Sequence, residues 1–142
     1  MKLHKTEIAQ RQIETAIDLF LSDKDFVSAL CLAGAAEDIL GTLLRRKGVK
    51  SMLGNLHEWY QDTTGEKIAY GEFAAKANLT RNTLKHATTA EEDNVEIFRW
   101  ETVQMLMRAL YNWKEVGQRP TVKMLEFNHW LQTHRGAYET LE

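Results

Sequence analysis

Apolar residues recur every three or four positions through most of the chain, which is the period of amphipathic helices packed on one another. Ala9, Ile13, Ala16, Ile17 and Phe20 fall on one face and predict a first helix from about Thr6 to Ser22. Asp23 or Asp25 then caps a second helix, from about Phe26 to Lys47, whose C-terminal end carries Arg45, Arg46 and Lys47 before the stop at Gly48. Within it Ala29, Ala33, Gly34, Ala35 and Ala36 are small enough for a neighbour to approach closely. A short helix is expected over Met52 to Gln61, ended by the turn Asp62 to Gly65, and a longer one over Tyr70 to His86. The acidic stretch Ala90 to Asn94 breaks the pattern, and Val95 to Phe98 reads as extended before helix resumes near Trp100 or Glu101. Val103, Leu106, Leu110 and Trp113 form the next stripe, which stops at Gly117. After Arg119 and Pro120, with proline suited to a first helical turn, Val122, Leu125 and Leu131 predict a last helix ending near Arg135 and Gly136. The fold class is all-α, a single helical domain over residues 1–142, with roughly five or six helices in one bundle.

Composition narrows the function classes. A formal charge of -2 and an isoelectric point near 6.2 provide no global positive field, so nucleic-acid binding would need a local patch. The single cysteine, Cys31, lies in an apolar segment and reads as a reduced, buried thiol, in keeping with a cytoplasmic protein. The start of the chain mixes charges and has no apolar leader core, and the longest uncharged run, Phe26 to Ala36, is short for a membrane span. The sequon Asn78-Leu79-Thr80 then reads as coincidence.

The chemically informative segment is Ala77 to His86. On an ideal helix Ala75, Leu79, Asn82 and His86 share one face, while Phe73, Ala77 and Leu84 share another. If the Leu84 side packs in the bundle, the Leu79, Asn82 and His86 side faces a cleft or a second copy. Arg81 lies about 140° around from His86, so the two converge through the long arginine stem or across a dimer.

The run Arg81-Asn82-Thr83-Leu84-Lys85-His86 resembles the signature of the HEPN superfamily, an arginine, a polar residue that is often asparagine, and a histidine four to six positions after the arginine. The chain is similar to that superfamily over residues 6–116 in its helical pattern and long alanine-rich second helix. It is also similar to short bacterial HEPN-like proteins in which an asparagine precedes Lys-His-Ala, here Asn82, Lys85, His86 and Ala87. The resemblance implies a homodimer with the motif at its interface, metal-independent endoribonuclease activity or RNA binding, no cofactor, and a defence or toxin-antitoxin role with an antitoxin partner. RNA cleavage needs a group that titrates near neutrality and a cation for the charge developing on phosphorus, roles that His86 and Arg81 would fill, with Asn82 orienting the histidine or a phosphate oxygen and Lys85 adding positive charge. A second description of the same residues is a non-catalytic homodimeric interaction module, in which Arg81 and Lys85 are a solvated helix face and His86 an interface histidine.

Glu37 interrupts the apolar stripe Leu30, Ala33, Leu40, Leu44, so its carboxylate is expected to be partly buried and to need a partner. Arg81, Lys85 or His86 would hold the motif in place; an unrelated arginine is the other choice. Metal readings fail on ligand number. Glu126 and His129 form one Glu-x-x-His where di-metal bundles use two, and His57-Glu58 lacks the second histidine of a zincin. Trp59, Trp100, Trp113 and Trp130 read as core and interface anchors.

Overall fold

A computed structural model describes residues 1–134 and 136 of the chain, and among these every regular element is helical. The α-helices are α1 (Lys5–Leu21), α2 (Phe26–Arg46), α3 (Met52–Thr64), α4 (Tyr70–Ala77), α5 (Leu79–Thr83), α6 (Arg99–Glu115) and α7 (Val122–Thr133), with a 3-10 turn over Ala90–Glu92. The central helix is α2, packed between α1 and α6; α7 closes over α1, α3 lies on α6, and α5 touches α2.

Side-chain oxygens and glycines set the helix ends. Asp25, the second of the two expected caps, accepts the Ser28 N–H at 2.9 Å and starts α2. At the other end Gly48, with φ 70°, donates to the Arg45 carbonyl while Val49 donates to that of Leu44, the paired bonds of a Schellman stop. Gly117 ends α6 in the same way. The third helix runs three residues past the expected Gln61 and stops at Gly65.

The core comes from the predicted stripes. Ile13, Ile17 and Phe20 of α1, Leu30 and Leu40 of α2, and Val103, Leu106 and Trp113 of α6 are all buried. Each such side chain contributes about 1.5–3 kcal/mol by leaving water. α2 has the length and composition of a membrane span, but half of its most apolar window is buried inside the bundle, where its alanines admit α1 and α6.

Three expectations need correction. The helix expected over Tyr70 to His86 is two helices, broken at Asn78, whose backbone (φ -107°, ψ 13°) leaves the helical well. That break brings the α-helices among the described residues to seven. Secondly, α7 buries Met124 and Phe127 and leaves Val122 and Leu125 exposed. Its positions are apolar on more than one side, and the aromatic face wins because Phe127 and Trp130 both meet Phe20 edge to face. Thirdly, Cys31 is half-buried rather than buried, with a free thiol. The extended stretch before α6 is present, and the helix resumes at Arg99. The expected last-helix end at Arg135 lies outside the described residues; α7 ends at Thr133.

Candidate functional site

The site grows from the one carboxylate that α2 directs into the bundle. Glu37 is only 3% exposed and stands between two arginines. Arg81 Nη1 of α5 donates to its Oε2 at 3.2 Å, and Arg108 Nη2 of α6 donates to its Oε1 at 2.8 Å. Arg81 Nη1 also donates to the Gly34 carbonyl at 3.2 Å and lies 3.5 Å from Asp38. Arg108 Nη2 reaches the Asn78 side-chain oxygen at 2.8 Å. The Asn112 amide donates to the Glu37 carbonyl at 3.3 Å and accepts the Met52 N–H at 2.8 Å, joining the start of α3 to the same cluster. Charge-assisted bonds of this kind are about twice as strong as neutral ones, and burial makes each partner indispensable to the others.

Gly34 is what lets Arg81 in. A Cβ at that position would stand 2.3 Å from Arg81 Cδ and 2.9 Å from its Cγ, closer than carbon atoms approach. The small-residue stretch of α2 therefore admits a side chain here.

Of the sequence-predicted residues, the structure brings Glu37 and Arg81 together and leaves the others apart. Arg81 is 6% exposed, so it is a buried ion-pair partner and not part of a solvated helix face. Asn82 is half-buried on α5, and Leu84 packs toward the core. Lys85 and His86 lie beyond the end of α5 and are exposed, and no side-chain hydrogen bond joins either to another described residue. The expected shared face keeps Leu79 and Asn82 together on α5, but loses Ala75 to the break at Asn78 and His86 to the early end of the helix. Leu79 remains 63% exposed.

Arg108, Asn78 and Asn112 are site residues that the motif does not contain. Two of them carried a readable signal: Arg108 and Asn112 sit at i+3 and i+7 from Met105 on the buried side of α6, as Glu37 interrupts α2. Asn78 gave none, because its role depends on a break in the helix.

The other expected histidine and aromatic roles are structural. His57 Nε2 is 2.6 Å from the Ile68 carbonyl and its ring packs against Phe73, and His134 stacks on Trp130. Trp113 is buried, donating to the Arg119 carbonyl at 2.8 Å, whereas Trp59 is 63% exposed. Glu126 and His129 are both exposed, and among the described residues no three His, Cys, Asp or Glu side chains converge. No protein-family profile, curated protein or solved structure matches the chain.

Proposed function

We propose that the chain is a HEPN-like bundle that acts on RNA as a homodimer, as a metal-independent endoribonuclease in which His86 moves the 2′-hydroxyl proton and Arg81 is the fixed cation. The observation that carries this reading is the clamp on Arg81. A five-residue helix is too short to hold itself, yet Glu37 and Gly34 fix its arginine to the central helix, five residues before the exposed His86. Among the described residues no side-chain hydrogen bond orients His86, and a second copy meeting the first along α5 would supply that constraint. Exposed Leu79 on the same helix supports such a contact. A toxin-antitoxin or other defence role, with an antitoxin as partner, belongs to the same reading.

The test is cleavage of structured and unstructured RNAs by the purified protein. His86→Ala lowers cleavage by roughly a hundredfold or more, cleavage persists in a chelator, and the products end in a 2′,3′-cyclic phosphate. Arg81→Ala is a poor partner experiment, because truncation strips one of Glu37's two cations; Lys85→Ala, at an exposed position, is the control for the local charge. Intact RNA, or equal cleavage by His86→Ala, overturns the catalytic reading. The second reading, a non-catalytic interaction module, is favoured by the unconstrained His86 itself; it predicts a dimer that leaves RNA uncut.

A further inference from the structure

The face of the bundle where the start of α3 meets α6 and α7 holds a cleft of about 370 Å³, a size at which small organic ligands are bound. Its walls are mostly apolar: Leu110 and Trp113 of α6, Leu131 of α7, and three of the chain's five methionines, Met52, Met107 and Met124. Methionine is unbranched and polarizable, so such a wall adapts to an apolar body instead of imposing one shape on it. Arg81, Asn82 and His86 do not line the cleft, which is therefore separate from the motif.

A few polar groups converge on the same space. Lys114 is the one charged side chain in the lining, and among the described residues no carboxylate forms an ion pair with it. Gln118 follows in the connection to α7, and Asn128 lines the α7 side. The Tyr111 hydroxyl accepts the Asn55 side-chain N–H at 2.8 Å, which leaves its own O–H to donate elsewhere. The neighbouring charges do not cancel Lys114. Glu115 is exposed about 100° round α6 and is matched by Arg119 in the connection, Glu126 lies on the opposite side of α7 from Met124, and Glu58 is paired with Lys50. The lining is also polarised along its length: Lys114 and Gln118 sit where α6 passes into α7, whereas Met107 lies two turns back, about 10 Å along the helix.

We propose that this cleft binds a small amphiphile with one carboxylate head and a short unbranched apolar body. A single ammonium beside neutral donors matches a singly charged head, because lysine acts as a compact point charge, and a doubly charged anion calls for several cations. The body then lies along Leu110, Met107 and Leu131, away from the polar end. Neither His86 nor a second copy is required, so the site stands independently of the cleavage reading.

Methyl NMR spectra of the full chain labelled at methionine locate the ligand, and titrations with hexanoate, octanoate and octanol grade it. Octanoate shifts the methyls of Met52, Met107 and Met124 at one-to-one stoichiometry and leaves those of Met1 and Met105, outside the cleft, in place. It binds about fifteenfold more tightly than hexanoate, the factor for two more buried methylenes. Lys114→Ala, at an exposed position, weakens octanoate about tenfold and octanol not at all, while His86→Ala changes neither. Equal binding of octanoate and hexanoate, an equal response of octanoate and octanol to Lys114→Ala, shifts spread over all five methionines, or no binding of octanoate overturns the proposal.

Discussion

At the scale of single residues, Glu37 has the largest expected effect. Glu37→Ala leaves two guanidinium groups buried without their shared counter-ion and costs about 3–5 kcal/mol, read as a lower urea midpoint. Gly34→Ala tests the same cluster from the opposite direction, since the added Cβ displaces the Arg81 stem without removing any charge. Its midpoint falls as well; a wild-type midpoint would show that Arg81 does not depend on that passage. Asp25 gives the pH counterpart. The Ser28 hydroxyl first, and then the Ser28 N–H, hold its carboxyl below the ordinary aspartate range. The folded chain therefore takes up that proton less readily than the unfolded one. The contribution is complete above the ordinary range and is lost as pH falls through the lowered value. A carboxyl titration by NMR shows the low midpoint in the wild type and a rise in Ser28→Ala. How much of the cluster the sequence disclosed follows from periodicity: a charge inside an apolar stripe marks Glu37, and the same reasoning reaches Arg108 and Asn112. It does not choose partners, because Arg81, Lys85 and His86 lie within six residues of one another and only the fold decides which of them turns inward.

At the scale of elements, α1 was legible from its single apolar face, and α2 because its apolar face, the Asp25 cap and the stop at Gly48 agree. Two other elements were not, for different reasons. α7 is apolar around much of its circumference, so sequence spacing does not select the Met124 and Phe127 face over the Val122 and Leu125 face. The break at Asn78 has no glycine or proline to announce it. There the asparagine side chain answers to Arg108 of α6, a long-range contact that overrides local helix propensity. Asn78→Ala removes that acceptor from a buried cation and destabilises the fold by about 1–3 kcal/mol in urea titration. Asn82→Ala, on a half-buried position with no side-chain hydrogen bond among the described residues, costs less. Equal losses would show that the break does not rest on Arg108.

At the scale of the whole molecule, the bundle leaves Leu79 on an outer edge beside the motif. If two copies meet there, Leu79→Asp places unpaired charges in the contact and converts the dimer to monomer in sedimentation velocity at micromolar concentration, with the helical signal unchanged. A wild type that already sediments as a monomer ends the dimer proposal. The attachment of α4 and α5 has a further consequence. Neither helix contributes a buried apolar side chain of its own, and α5 is fastened to α2 chiefly through Arg81. Separating residues 70–83 from the bundle thus requires breaking the ion cluster, the Thr80–Glu101 hydrogen bond and the contacts of Tyr70 and Phe73 with α3, while the hydrophobic interior of α1, α2 and α6 stays closed. Such a segment opens as its own cooperative unit, well below the free energy of global unfolding. Amide protons of α4 and α5 exchange with deuterium before those of α2, and Glu37→Gln speeds that exchange selectively, which makes the buried carboxylate a latch on the strip of chain that carries the motif.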